Sequence, residues 1–340
     1  MLTHLQISEI REHLDKAGNP LFFFDNDCDG LASFLILARA YGKGKGVAIK
    51  SSPALDSTYL RKIRELNPDS IFVLDKPLIE QGFIDEVKKM NIPIIWIDHH
   101  EVSVEEQEGV YYYNSKLGEK SDEPVTYWAW KIAGRKEDLW LAVCGCIADH
   151  YLPSFFSDFN KEYPELGGKV KSAFQALYDT EIGQVTRILG FALKDRTSEV
   201  VRMIKILLKA TSPREVFDEE NHLFARFKQI DKKYQKLIEK AKEFAKPKLL
   251  YFQYAGDLSI SSDISNELSY RYPGRTIVVA YISGVKVNIS IRGKKAKEIT
   301  LKAIEGFENA TGGGHEEATG AKIKVEDLPI FKERIEKLVG

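Results

Sequence analysis

Sulfur-containing residues are scarce in this chain of 340 residues, which has three cysteines and three methionines. The cysteines are Cys28, Cys144 and Cys146, an odd number without the Cys-x-x-Cys spacing of a zinc site. This usage argues against both a disulfide framework and a cysteine-ligated zinc ion. A reducing cytoplasm fits it, so we expect a cytoplasmic protein.

Long hydrophobic runs and a strong net charge are also lacking. No apolar run approaches the roughly 20 residues that a membrane-spanning helix needs, and the first residues, MLTHLQISEIREHL, lack the basic start and apolar segment of a signal peptide. We therefore expect no membrane partner. The 49 Lys and Arg residues nearly balance the 50 Asp and Glu residues, for a net charge of −1. The protein has no overall positive charge that would indicate nucleic-acid binding, so a polyanion would have to be bound by a local basic patch or by metal ions.

Three short apolar runs each end in an aspartate: LFFFD at Asp25, IFVLD at Asp75 and IIWID at Asp98. Each run is too short for a helix, and helical patterns separate the three runs, an alternation typical of βαβ units. The carboxyl ends of parallel strands meet at one edge of the sheet, where open α/β sheets bind ligands. The sequence therefore predicts an α/β fold with carboxylates gathered along one edge of a parallel sheet.

The chain changes character near residue 221, where a charged amphipathic pattern begins and runs to Pro247. We expect a first domain over residues 1–217, a linker helix over 218–247 and a second, smaller α/β domain over 248–340. The second domain shows strand patterns at 248–254, 276–282 and 285–292 and helical patterns at 262–272, 296–305 and 327–338. The composition of the segment TGGGHEEATG predicts a glycine-rich turn.

The segment DNDCDG places carboxylates at Asp25, Asp27 and Asp29, in a turn between a strand and a helix. Packed carboxylates repel one another unless a cation neutralises them. An N-capping aspartate or a solvated acidic loop would explain the segment without a metal. The calcium loop of an EF-hand does not fit, because a strand precedes the segment and its twelfth position is Ile36.

Further candidate ligands follow along the chain. Adjacent histidines beside a carboxylate, Asp98-His99-His100, are not explained by a single packed core histidine. Asp75 taken alone fits a turn residue, and Asp149 taken alone fits a polar residue at a helix end. Together, several aspartates and a histidine form a ligand set for Mn²⁺ or Mg²⁺ rather than zinc. Two such ions would make a two-metal phosphoester hydrolase.

The motifs DNDCDG, VLD, IDHH and IADH resemble, in order and spacing, the four motifs of the DHH phosphoesterase family. TGGGHEEATG is similar to the GGGH signature of that family's C-terminal substrate-binding domain, and SDISNELSYRYPG and ISIRG resemble other segments of it. The resemblance covers nearly the whole chain, and the two-domain layout is similar to archaeal RecJ-like nucleases. Asn26 and Cys28 depart from the family pattern, which more often has His or Tyr and Ala there.

The resemblance implies a parallel-sheet DHH catalytic domain, joined by a long helix to a smaller α/β C-terminal substrate-binding domain. It also implies a cofactor of two Mn²⁺ ions, with Mg²⁺ as the alternative. The implied metal ligands are Asp25, Asp27, Asp29, Asp75, His99 and Asp149. In the same scheme His100 contacts the scissile phosphate, and Asp98 either binds metal or orients the histidines.

In the second domain, Gly312, Gly313 and Gly314 would let backbone N–H groups approach an anion closely. His315 would then hydrogen-bond a phosphate or the terminal sugar. Arg292 is the best candidate for a phosphate clamp, because its guanidinium fork matches phosphate oxygens. The alternative interpretation of the glycine segment is a flexible turn, and that of Arg292 is a surface salt bridge.

Three functions compete. The first is a Mn²⁺-dependent exonuclease on single-stranded DNA or RNA, in DNA repair or replication. We expect 3′→5′ polarity, since bacterial RecJ-type enzymes, which cut from the 5′ end, carry domains not found here. The second is a phosphodiesterase for short oligonucleotides or for linear or cyclic dinucleotides. The third is a non-catalytic replication or repair scaffold, which the retained ligands disfavour. The resemblance alone suggests a homo-oligomer, with a repair helicase or nuclease as a candidate partner.

Overall fold

The computed structural model describes residues 1–51, 53–102, 104–105, 107–117, 121–217 and 222–340. These residues divide into two compact units, Met1–Gln229 and Ile230–Gly340, and each has its own sheet. Within the described ranges, no helix is both long enough and apolar enough to cross a membrane.

The first unit is a parallel α/β structure. Its five-stranded main sheet is parallel throughout and has the strand order β2-β1-β4-β6-β7, while β3 and β5 form a separate parallel pair. The helices and strands of this unit are, in chain order, α1 His4–Lys16, β1 Pro20–Asp25, α2 Cys28–Tyr41, β2 Lys45–Ile49, β3 Ala54–Leu55, α3 Leu60–Leu66, β4 Ser70–Leu74, β5 Leu78–Ile79, α4 Gln81–Lys89, β6 Ile94–Asp98, β7 Val110–Asn114, α5 Val125–Ala133, α6 Leu139–Ala148, α7 Phe156–Glu162, α8 Pro164–Gly167, α9 Ala173–Asp179, α10 Glu181–Leu193 and α11 Thr197–Leu207.

Both faces of the main sheet are covered at its centre, which explains why β1, β4 and β6 are apolar apart from polar residues at their ends. Successive side chains of a strand point to opposite faces. Phe22 and Phe24 of β1 pack against Phe34 of α2, with ring centroids 5.4 and 5.2 Å apart. Phe23 instead meets Tyr59 and Phe83, each at 5.9 Å, on the other face. The predicted parallel sheet is confirmed.

The long charged helix, α12, is described from His222 to Lys242 and spans the division between the two units. Its predicted start at Asn221, like the rest of 218–221, lies outside the described residues. The helix ends before Pro247, as the missing N–H of proline leads one to expect.

The second unit has a mixed sheet in the order β11-β12-β10-β9-β8, in which only β8 and β9 are parallel. Its elements are β8 Leu249–Ala255, α13 Ser261–Arg271, β9 Thr276–Ser283, β10 Lys286–Arg292, α14 Ala296–Ile304, β11 Thr311–Gly314, β12 Ala318–Lys324 and α15 Leu328–Val339. The predicted α/β character is confirmed, but the glycine-rich segment differs from the expected turn. The glycines lie in β11, and only residues 315–317 connect it to β12, because pairing with β12 outweighs the low strand propensity of glycine.

Candidate active site

The carboxyl edge of the main sheet gathers the residues that the sequence pattern singled out. Asp25 ends β1 and Asp98 ends β6, so both lie at this edge. Asp75 follows β4, while His99 and His100 follow β6. Asp75 has a left-handed backbone with φ of 59°, a conformation that aspartate and asparagine tolerate better than most residues.

Two further carboxylates lie at the start of α2. Asp27 is the N-cap of this helix and accepts a hydrogen bond from the Gly30 N–H at 2.9 Å. Asp29, in the first turn, accepts bonds from the N–H groups of Val125 at 3.0 Å and Thr126 at 2.7 Å. Its two oxygens thereby hold the start of α5, where the helix dipole also favours negative charge.

His99 connects two groups of side chains that could each hold a metal ion: Asp75 with both histidines, and Asp29 with His99 and Asp149. Its Nε2 is 3.2 Å from Asp75 Oδ1 and 3.9 Å from Asp29 Oδ2, and its Nδ1 is 3.7 Å from Asp149 Oδ2. In the described part of the chain, the buried Nδ1 has no hydrogen-bond partner. A buried imidazole nitrogen that faces carboxylates without a hydrogen bond fits a metal ligand, so the residues present suit a divalent cation.

The crowding of these carboxylates shifts their pKa values. Burial, followed by the charges of Asp29 and Asp27, raises the pKa of Asp149 to about 8. Burial and the charges of Asp29 and Asp25 raise the pKa of Asp27 to about 7. Because Asp27 keeps exposed surface, the charges of Asp29 and Asp25 contribute more to this shift than burial does. For Asp75, burial and the same carboxylates raise the pKa well above its ordinary range. A bound cation would reverse these shifts.

Asp98 is positioned to orient His100. His100 Nδ1 lies 2.7 Å from Asp98 Oδ1, and the other Asp98 oxygen accepts from the Tyr112 hydroxyl at 3.2 Å and the Asn114 amide at 3.5 Å. Burial opposes the charged imidazole, but the hydrogen bond and charge of Asp98 outweigh it and raise the pKa of His100. Asp98 is in neither ligand group, so the geometry matches the orienting role. Sequence reasoning did not identify Tyr112 and Asn114.

Lys76 is a further site residue that sequence reasoning missed. Its Nζ donates to Asp25 Oδ1 at 2.9 Å and to the Ser51 carbonyl at 2.8 Å, and its side chain is 2% exposed. The ammonium already neutralises Asp25, which belongs to neither ligand group. The sequence signal is slight: a lysine directly after Asp75, in IFVLDK.

The predicted substrate-binding residues all lie in the second unit. Residues 312–314 lie in the exposed strand β11, and His315 begins the turn that follows. The Arg292 guanidinium donates to Asn266 Oδ1 at 2.7 Å, to Ser262 Oγ at 3.0 Å and to two backbone carbonyls at 2.9 and 3.1 Å. These bonds hold Arg292 in a fixed orientation at the end of β10.

Comparison with known proteins supports the resemblance found in the motifs. Residues 246–340 match the DHHA1 domain family. By sequence, no curated protein matches the chain. By structure, the chain is similar to an exonuclease RecJ bound to manganese, with a TM-score of 0.60, 17% identity and coverage of 99% of this chain and 94% of that one.

Two other solved structures agree. RecJ from Thermus thermophilus in complex with Mn²⁺ gives a TM-score of 0.58 and 18% identity over 99% of this chain and 55% of that one. The DHH domain of a protein assigned to a family of ribosomal proteins gives a TM-score of 0.63 and 13% identity over 97% of this chain and 89% of that one. The chain therefore has the fold of RecJ-like DHH proteins. Its C-terminal part, residues 246–340, is a DHHA1 domain.

Proposed function

We propose that this protein is a metal-dependent phosphodiester hydrolase that acts as an exonuclease on single-stranded DNA or RNA, with 3′→5′ polarity and a role in DNA repair or replication. The observation that carries the proposal is the position of His99 between two groups of carboxylate and imidazole ligands. Two RecJ structures with similar folds contain manganese, which supports the coarser statement of a metal-dependent phosphoesterase.

The donor set suits two Mn²⁺ ions, with Mg²⁺ as the alternative, because it consists of carboxylate oxygens and imidazole nitrogens. Asp27, Asp29, Asp75, His99 and Asp149 would hold these ions, and His100 beside them would stay free to contact the substrate. Such ions, when bound, lower the pKa of a water molecule and stabilise charge on a phosphoryl group.

His100 is the residue that we assign to the scissile phosphate. Asp98 accepts from Nδ1–H and favours the charged imidazolium, so that Nε2–H is left to donate to a phosphate oxygen. Lys76 adds a second fixed positive charge beside the carboxylates through its ion pair with Asp25. These two cations balance part of the negative charge that substrate and ligands bring together.

Gly313 supports a substrate-binding role for β11. A Cβ at Gly314 would lie 2.6 Å from the Ala318 carbonyl oxygen, so packing alone requires that glycine. A Cβ at Gly312 would lie 2.6 Å from Cδ1 of Ile304, the end of a side chain that can shift. A Cβ at Gly313 would meet nothing within 4 Å. Packing does not explain this glycine, whereas close approach of a phosphate to the backbone does.

The test is a time course on 5′-labelled single-stranded DNA of about 20 nucleotides, longer than the site of one single-strand-binding fold, with Mn²⁺ and with a chelator. Asp75→Asn is the key variant, because asparagine keeps the left-handed backbone and removes only the charge. Asp85→Asn is the matched control, since Asp85 is exposed on α4 and belongs to neither ligand group. A ladder that shortens from the 3′ end, lost with chelator and in Asp75→Asn only, would support the proposal.

Other outcomes separate the alternatives. Immediate release of a labelled mononucleotide would reverse the polarity. Cleavage of dinucleotides but not of the longer strand would favour the short-substrate phosphodiesterase. No cleavage of either substrate would overturn the hydrolase proposal and favour a scaffold. A homo-oligomer and a repair helicase or nuclease as partner stay predictions, to be checked by light scattering and by binding to the purified partner.

A further inference from the structure

A cavity of about 900 Å³ lies in the first unit, beside the edge strand β2. Its volume falls in the range of ligand-binding pockets. None of the candidate metal ligands lines it. In the described part of the chain, β2 pairs with β1 only, so one side of its backbone has no strand partner.

The cavity occupies the position of the next strand of the main sheet. Phe34 of α2 lines it on one face of the sheet, and Tyr59 lines it on the other, as their contacts with successive β1 phenylalanines show. Val200 and Ile204 of α11 add to the wall on the α2 side. Arg39 of α2 holds α11 in place, since it donates a hydrogen bond of 2.8 Å to the carbonyl of Leu207 at the end of α11. A strand added to β2 would therefore be covered on both faces, like the other strands of this sheet.

The charge of the lining is one-sided. It contains no carboxylate and five basic side chains: Lys45, Lys50, Arg61, Lys62 and Lys205. Arg61 and Lys62 both pair with Glu65, at 3.1 and 2.6 Å. Lys45 and Lys205 are exposed, and neither has an ion-pair partner among the described residues. In a chain with a net charge of −1, this local excess of positive charge is complementary to an acidic partner.

We infer that the cavity is a docking site for an extended segment of a partner protein, which adds as a sixth strand to β2. The segment would have a short apolar run, to meet Val47, Val201 and Leu208, flanked by acidic residues that face the lysines. Main-chain hydrogen bonds to the free side of β2 would provide affinity, and the apolar lining and basic rim would provide specificity.

An aliphatic floor favours a peptide over nucleic acid. Single-strand-binding sites combine cations with exposed aromatic rings on which bases stack. Here the accessible apolar lining comes from Val47, Val201 and Leu208, Phe34 is fully buried, and Tyr59 is half-buried with its hydroxyl bound to the Lys50 N–H. The unpaired strand edge also offers a row of amide donors and carbonyl acceptors that matches a peptide backbone.

The test selects binders to the full-length protein from a displayed library of random peptides, in the presence of chelator. The absence of metal makes the result independent of the proposed hydrolase. Selected peptides are then synthesised and titrated against the double variant Lys45→Glu, Lys205→Glu. The matched control is Lys16→Glu, Lys89→Glu, which reverses two lysines of the same unit that are 72% and 70% exposed.

We expect the selected peptides to share an apolar run flanked by acidic residues. The cavity variant should weaken their binding about tenfold or more, and the control should leave it nearly unchanged. Hydrogen exchange of the amides in Lys45–Ile49 should slow in the complex, a response that electrostatic attraction without strand pairing would not give.

Three results would overturn the inference. The first is that the selected peptides share no acidic–apolar pattern, or that they bind the cavity variant as tightly as the wild type. The second is a single-stranded oligonucleotide that binds with the same dependence on Lys45 and Lys205, which would make the cavity a nucleic-acid site. The third is a metal-free dimer that forms without peptide and is lost in the cavity variant, which would make a second copy the occupant.

Discussion

Removing one carboxylate from the candidate metal centre should stabilise the metal-free protein. Oxygens of Asp29 and Asp149 lie within 4.8 Å of each other. At an effective dielectric constant of about 20, two unit charges at that distance repel by about 3.5 kcal/mol. The Asp149 side chain is 40% exposed, so solvent screens part of this repulsion. We expect Asp149→Asn to raise the free energy of unfolding by about 1–2 kcal/mol above pH 8 without metal.

The pH dependence follows from the direction of the shift. Folding raises the pKa of Asp149 to about 8 from an ordinary value of 3.8. A group whose pKa is higher in the folded state stabilises the fold fully below its unfolded pKa, and this stabilisation is lost as the pH rises through the folded pKa. The metal-free wild type should therefore lose stability between about pH 4 and pH 8. The gain from Asp149→Asn should shrink as the pH falls and vanish below about pH 4, where the carboxyl is protonated in both the folded and the unfolded state.

Thermal unfolding of the wild type and of Asp149→Asn, each in chelator and in Mn²⁺, tests this reasoning. For a unit of this size, the gain corresponds to a rise in Tm of roughly 3–6 °C in chelator. Mn²⁺ at about 100 times its Kd should stabilise the wild type by about 2.7 kcal/mol, and the variant by much less. Asp85→Asn serves as the control, with no change expected in either condition. A lower Tm for Asp149→Asn in chelator above pH 8 would refute the claim that these carboxylates repel one another.

Three further predictions concern other parts of the molecule. Lys76→Met leaves Asp25 without its ion-pair partner, a lysine that is 2% exposed, and should lower metal-free stability by about 2–3 kcal/mol. Denaturant unfolding measures this loss, and an unchanged midpoint would contradict the ion pair. Gly314→Ala should lower the stability of the second unit by about 1–3 kcal/mol, because φ is 135° and the new Cβ clashes with the Ala318 carbonyl oxygen. Gly313→Ala should leave the stability unchanged and weaken oligonucleotide binding. Equal unfolding of the two glycine variants would argue against this interpretation of β11. Asp98→Asn should lower turnover and move the alkaline limb of the pH–rate profile downward, because it removes the charge that raises the pKa of His100; an unmoved limb would separate His100 from catalysis.

Local patterns were sufficient to predict the edge of the main sheet. Apolar runs of strand length ending in Asp25, Asp75 and Asp98 predicted parallel strands with carboxylates at one end, and the structure places them there. The strand–helix alternation of the second unit was equally predictable. The glycines of β11 were not, because glycine favours turns locally and only pairing with a neighbouring strand makes this segment extended.

Contacts between distant parts of the chain explain what sequence reasoning missed. Lys76 reaches Asp25 because β4 lies beside β1, with Leu21 in register with Ile71. Such pairing depends on the order of strands in the sheet, which no local pattern specifies. Tyr112 reaches Asp98 for the same reason, since β7 lies beside β6.

The hydrogen bonds from α5 to Asp29 link metal affinity to the packing of that helix. Each carboxylate oxygen has two lone pairs, and the N–H groups of Val125 and Thr126 occupy one on each oxygen. Because these bonds already fix the orientation of the Asp29 carboxylate, little rotational freedom of this side chain is lost when its remaining lone pairs bind a cation. By thermodynamic reciprocity, a cation bound to Asp29 must also stabilise the start of α5. A change that destabilises the start of this helix must in turn lower the metal affinity.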